Sequence, residues 1–309
     1  HPLFISSDFV YPSIRQTDKR RQNSDERRCP MNNDQQKTGY LESRFKLFYI
    51  SDQNCIRFPL HYHDFHKIMI FLRGNVSYVI EGKQYELLPE DILLIHAGEL
   101  HRPIIHDTSV YERMVFYISP HFFEELTRKG HDLFHCFCLS RSQQSSLLRL
   151  SRDQGGEIKR VCHELTDSFL SNSYAGELYR ETKFMEFLIL LNRALLGDQF
   201  HYSRVSTANS TIQTVLKYIN DRICEETLSI AQISQAVFLN PSYLMHLFKT
   251  ETGQSIGKYI TEKRLFLARS MIAQGLSVTE ACFRSGFKNY AAFYYAYKTK
   301  YDSPPGTVD

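Results

Sequence analysis

Five side chains in one stretch of this chain have the types and spacing to hold a small polar molecule: His61, His63, Lys67, His96 and His101. Side chains alternate along an extended strand, so His61 and His63 share a face with Phe65, Lys67, Met69 and Phe71. His101 follows Gly98-x-x, which brings another imidazole in after a turn. A neutral imidazole offers one donor and one acceptor nitrogen, and an ammonium offers three donors. Beside an aromatic wall, such a set suits a hydroxylated or anionic ligand held by directional hydrogen bonds. Two other readings stay open. The imidazoles could serve packing and hydrogen bonding without a ligand, or three of them could hold Zn²⁺ or Fe²⁺. Lys67 opposes the metal, because an ammonium does not ligate a cation and repels one. The five residues are therefore assigned to ligand binding, with no catalytic residue, no metal and no cofactor expected.

These groups need a β-framework. Lys67–Gly74, Val76–Leu88 and Asp91–Gly98 are short runs rich in Ile, Val, Phe and Tyr, and Glu81-Gly82-Lys83 marks a hairpin turn. Close strand spacing without intervening helices over 39–118 predicts a small barrel or sandwich. From 157 the period turns helical. Ile158, Val161, Cys162, Leu165 and Phe169 form one stripe, and Phe184, Leu188, Leu191 and Leu195 another. These stripes either pack on the β-domain or form a dimer seam. Gly197–Ser210 is polar and reads as a linker.

A second chemistry lies near the C-terminus, where one pattern occurs twice. Ser229–Gly253 and Ser277–Asp302 each open on a capping box, Ser229-x-x-Gln232 and Ser277-x-x-Glu280. Each continues as a short helix, a turn and a second helix capped by Asn240 or Asn289, with Pro241 at the first position of the former. A helix over roughly 256–273 joins them and spans ~27 Å at ~1.5 Å per residue. Successive major-groove faces of B-DNA lie ~34 Å apart. Two helix-turn-helix units so spaced predict a grip on one side of duplex DNA. Leu244, Leu247 and Phe248, and likewise Phe293, Ala296 and Tyr297, fall on the inward faces. Ser242, Met245, His246 and Lys249 then point outward, as do Ala291, Tyr294, Tyr295 and Lys298. Base edges and thymine methyls would meet the central residues, and phosphates the two lysines and the amides at Asn240 and Asn289. One of Tyr294 and Tyr295 could instead pack on a neighbouring helix.

Composition sets the remaining bounds. The chain has 309 residues, 42% of them hydrophobic, which suits more than one globular domain. Net charge is only +3. Residues 206–309 carry 11 Lys+Arg against 8 Asp+Glu, while residues 39–205 carry 19 against 21, so the C-terminal third is mildly basic. Seven dispersed cysteines without a CxxC pair argue against a disulfide or zinc framework and for a reducing, cytoplasmic setting. No apolar run approaches a membrane span.

The tail Phe293-x-x-Ala-Tyr-Lys-Thr-Lys-Tyr-Asp-Ser-Pro-Pro305 resembles the signature of AraC/XylS-type transcription regulators, and Pro241–Ser255 resembles their first repeat. The resemblance covers about 208–306. It implies seven helices, with the third and sixth as recognition helices, and base-facing positions at Ser242, Met245, His246, Ala291 and Tyr295. Family members often carry Arg where this chain has His246 and Tyr295. His61-x-His63 with Glu90-Asp91 and Gly98-x-x-His101 resembles the two cupin motifs, with Lys67 where cupin enzymes place a Glu ligand. Sensory domains of the AraC type resemble this arrangement and commonly bind sugars or other small metabolites.

The expected fold is α+β and multidomain: an N-terminal cupin-like β-barrel, a helical linker pair and a C-terminal all-α domain with two helix-turn-helix units. The expected boundaries are 1–38 as a disordered or extended arm, 39–150 as the effector-binding domain, 151–197 as a helical dimerisation region, 198–209 as a linker and 210–309 as the DNA-binding domain. The expected function is sequence-specific transcription regulation, as an activator, in response to a sugar or related metabolite, without enzymatic activity. Expected partners are an operator duplex, the effector, a second copy of the chain and RNA polymerase, with no membrane. The alternative is a metal-dependent cupin isomerase or dioxygenase carrying a DNA-binding domain.

Overall fold

A computed structural model of the chain describes residues 41, 43–53, 58, 60–150, 156–170, 173–197, 200–202 and 210–306. The arm expected at 1–38 lies outside them. Nine strands are described: β1 (Phe45–Asp52), β2 (His66–Arg73), β3 (Val76–Ile80), β4 (Lys83–Glu86), β5 (Ile92–Ile95), β6 (His101–Ile105), β7 (Tyr111–Ile118), β8 (Leu147–Leu150) and β9 (Phe200–Tyr202). They form a six-stranded sheet in the order β1-β7-β2-β5-β8-β9 and a three-stranded sheet in the order β4-β3-β6. The pairings within both sheets are antiparallel. Glu81 and Gly82 both take positive φ in the β3–β4 turn, as a tight hairpin requires.

Each face of the larger sheet is buried. Met69, Phe71, Leu93, Ile95 and Val115 point to an interior shared with Val76, Tyr78 and Ile80 of the smaller sheet. Their neighbours Ile68, Ile70, Ile92, Leu94, Met114 and Phe116 point the other way, into a core with helices. This alternation is the period-2 geometry of a strand used on both sides.

The helices of that outer layer are α1 (Pro120–Arg128), α2 (His135–Ser142), α3 (Gly156–Leu170) and α4 (Gly176–Leu196). Ile158, Val161 and Leu165 of α3 and Phe184, Leu188, Leu191 and Leu195 of α4 are buried in the same core as the sheet. The two helical stripes are therefore packing faces, and the dimer-seam reading of them is corrected. The region expected as a linker also holds β9, which pairs with β8. The rest of that region, 198–199 and 203–209, lies outside the described residues.

The C-terminal part contains six helices among the described residues: α5 (Ser210–Asp221), α6 (Ile230–Ala236), α7 (Pro241–Thr252), α8 (Ile256–Ala273), α9 (Val278–Arg284) and α10 (Tyr290–Tyr301). The third and sixth, α7 and α10, close the two helix-turn-helix units. Asn240 accepts from the Ser242 amide, and Asn289 accepts from the amides of Ala291 and Ala292. The Ser229 box is complete, with Gln232 reaching back to the Ser229 amide at 3.1 Å. The second box is half of one: Ser277 accepts from the Glu280 amide, while the Glu280 carboxylate bonds Arg284 at 2.7 Å. The second turn is longer by one residue and contains Gly286 at φ 94°. A Cβ there would sit 2.7 Å from the Ile223 carbonyl oxygen, so only glycine fits.

Candidate functional site

The β-interior closes at one end around three imidazoles. His61 and His101 form an antiparallel bridge, with amide-to-carbonyl distances of 3.1 and 2.8 Å. Their rings lie 4.5 Å apart, and the His63 ring is 5.0 Å from the first and 5.3 Å from the second. His63 stacks on Phe65 at 4.5 Å and also faces Tyr117. Lys67 stands beside them on β2, its Nζ donating to the Tyr78 hydroxyl at 2.9 Å. Burial, followed by the neighbouring His61 and Lys67 charges, holds the His63 imidazole well below its usual range. Burial, followed by Lys67 and the other two imidazoles, does the same to His101. The Lys67 ammonium is pushed down to about 7, mainly by burial. Burial thus favours the uncharged forms of the His63 and His101 rings.

The structure separates His96 from this group. Lys67 pairs with Ile95 in the β2–β5 register, so the next pair, His66 and His96, falls on the opposite side of the sheet. Their rings are 6.0 Å apart among Phe134 and Phe137. Burial pushes both imidazoles down to about 3. The register that fixes this is not visible in the sequence.

The segment leading to β2 has two faces. His61 and His63 face His101. Tyr62 packs with the C-terminal helices, where Lys300 lies 4.9 Å over its ring, and Asp64 meets Arg269 at 3.6 Å. Burial pushes the Asp64 carboxyl up to about 7.

The joining helix α8 lies against this β-domain. The Glu81 carboxylate, in the β3–β4 turn, accepts from Tyr259 at 3.3 Å, Lys263 at 3.2 Å and Asn220 at 3.0 Å, and from the Leu100 amide at 2.8 Å. Gly98 faces the Phe266 ring so closely that a Cβ would approach it to 3.2 Å. Tyr259, Lys263 and Phe266, spaced four and three apart, make one stripe of α8. Sequence reasoning gave α8 only the role of a spacer and missed this contact. Beside it, a cleft of about 260 Å³ lined by Leu60, Val79, Leu100, Ile212 and Leu216 runs between the two parts.

On the recognition helices, Leu244, Phe248, Phe293 and Tyr297 are buried, and Leu247 and Ala296 are half-buried. Ser242, Met245, His246 and Lys249 are exposed on α7; Asn289, Ala291, Tyr295 and Lys298 are exposed at α10. Tyr294 is half-buried, its ring 6.4 Å from Tyr290. Tyr295, at 71% exposure, is free for a partner.

A β-domain with a cluster of three imidazoles, joined to tandem helix-turn-helix units, is the build of a ligand-responsive DNA-binding regulator. Residues 48–188 match the AraC-like ligand binding domain and residues 233–309 match a helix-turn-helix domain, and the chain belongs to the AraC-type transcription regulators. It is 23% identical over 252 residues to the HTH-type transcriptional activator RhaS of Shigella sonnei, covering 81% of this chain and 87% of that one. The RhaS activator of Escherichia coli strain SE11 gives the same figures. Among solved structures, ToxT from Vibrio cholerae is similar over 85% of this chain and 97% of its own, at 15% identity and a TM-score of 0.34. No described helix is long and apolar enough to cross a membrane.

Proposed function

We propose that this regulator is a cytoplasmic activator whose pocket takes a sugar or related hydroxylated or anionic metabolite, held by His61, His63, Lys67 and His101. The observation that supports a regulatory site is the alternation of the 61–64 segment: His61 and His63 join the imidazole cluster, and their neighbours, Tyr62 and Asp64, touch the C-terminal helices. A ligand regulates only if it favours one arrangement over another. Pulling on His61 and His63 would displace Tyr62 and Asp64, and with them the seat of α8. The operator is read by Ser242, Met245, His246, Ala291, Tyr294 and Tyr295, with Lys249, Lys298 and the amide end at Asn289 on phosphates. The RhaS relatives carry the word activator in their names, which supports that sign of regulation and contact with RNA polymerase. Dimerisation belongs to the same reading; Ile189 and Leu196 of α4 remain exposed for a second copy.

The test is selection of bound duplexes from a random pool, with and without a panel of sugars and sugar acids. One enriched sequence spanning two major-groove faces, with enrichment that changes on adding one panel member, is the expected result. Equal retention of all sequences at every salt concentration would overturn it.

A further inference from the structure

We infer that His61, His63 and His101 form a binding site for a divalent transition-metal ion of the Zn²⁺ class, lying in the pocket of the proposed effector but not depending on any organic ligand. The imidazoles each present one ring nitrogen, and the three nitrogens lie within 4.8 Å of one another. A tetrahedral ion with ~2.0–2.1 Å bonds sets its nitrogens ~3.4 Å apart, so side-chain rotations of about an ångström complete the set.

The second observation is independent of that distance. The His101 side chain, at 1% exposure, approaches the Glu99 carbonyl with Nδ1 at 2.8 Å. A carbonyl only accepts, so Nδ1 carries the proton and Nε2 is left as a lone pair. That Nε2 is buried with no hydrogen-bond partner. A buried acceptor without a partner is costly, and a metal ion removes the cost. The same contact is the one that orients metal-bound imidazoles, since the far nitrogen donates to a carbonyl and fixes the tautomer.

Three nitrogen ligands leave at least one position open. Lys67, whose Nζ donates to the Tyr78 hydroxyl at 2.9 Å, stands beside the imidazoles and supplies no ligand. Its positive charge opposes a bare dication and favours an anionic group as the fourth ligand, so the ion and an anion would enter together.

The test uses the full chain, stripped with chelator and titrated with Co²⁺ in chloride and then acetate buffer. Expected are one Co²⁺ per chain with visible d–d absorption, displacement by one Zn²⁺, and a rise in Tm with either ion. H63A and H61A, each checked for unchanged far-UV circular dichroism, should each weaken binding at least tenfold. K67M should tighten it, because the opposing charge is gone; a merely structural Lys67 would not produce that sign. Should H61A or H63A misfold, H101Q with the same readout takes its place. Binding below one ion per ten chains, or unchanged Co²⁺ spectra in the folded variants, overturns the site. Operator selection on the stripped protein is scored separately, so loss of this site and loss of the regulator reading remain distinguishable.

Discussion

Asp64 and Arg269 meet at 3.6 Å across the junction of the β-domain with α8, one residue along the chain from His63 in the pocket. That adjacency ties the two chemistries of the molecule together through a single peptide unit. Replacing Arg269 by Ala should leave operator affinity of the ligand-free protein within a few-fold and shrink the change caused by effector. Titrating operator with and without effector measures it; an unaltered response would separate this pair from signalling.

Glu81 holds the same junction with four donors. Hydrogen bonds to a charged group contribute roughly 1.5–3 kcal/mol each, and Glu81→Ala leaves its partners unsatisfied. The expected outcome in calorimetry is a loss of about 2–3 kcal/mol and a split into two transitions, as the helix-turn-helix part melts apart from the β-domain. A single transition at the original temperature would contradict it.

Leu244 and His246 should behave in opposite ways. Leu244 is fully buried, so Leu244→Ala costs about 2–5 kcal/mol and reduces binding to every duplex alike. Leu247, expected at the outset to be equally deep, is half-buried and should cost less. His246 is exposed, so His246→Ala should change stability by no more than about 0.5 kcal/mol while altering the selected sequence. Denaturant melts and pool selection on both variants decide this.

Lys249 and Lys298 are assigned to phosphates. Either one changed to Ala should weaken binding evenly across sequences and lower the salt slope of log K by about 0.9. A change in preferred sequence would instead put that lysine on a base.

Acid stability should follow His66 and His96. Burial lowers both imidazoles to about 3 in the fold, against about 6.5 in the unfolded chain. Below pH 6.5 the unfolded state therefore binds more protons, and stability falls as pH drops from 6.5 toward 3. Each imidazole adds up to about 1.4 kcal/mol per pH unit in that window. His96→Leu should flatten the slope of unfolding free energy against pH by close to one proton; an unchanged slope would show that His96 is not the titrating group.

Local rules made much of this fold legible. The caps at Ser229, Asn240, Ser277 and Asn289 and the apolar spacing of 244/248 and 293/297 depend only on near neighbours, and the helices formed where those signals placed them. The β-runs around 67–98 were legible for the same reason. Long-range register was not. His96 was grouped with the pocket because nothing local states that residue 67 pairs with residue 95. The role of α8 was hidden likewise: Tyr259 and Lys263 look like ordinary helix-surface residues until Glu81, 178 residues earlier than the first, is brought to them. Helices α1 and α2 are short and were not anticipated, although Pro120 at a first helical position and the apolar face of Phe122, Phe123 and Leu126 were usable signals in α1. The three residues of β9 are too few to show a period, and the sequence there reads as linker.

One rod, α8, both spaces the two groove-reading helices and rests on the β-domain. Whatever factor the effector applies to operator affinity, the operator must apply to effector affinity in return. DNA is then a ligand of the sensor as truly as the metabolite is, and a promoter-bound copy answers to a different concentration of metabolite than a free one.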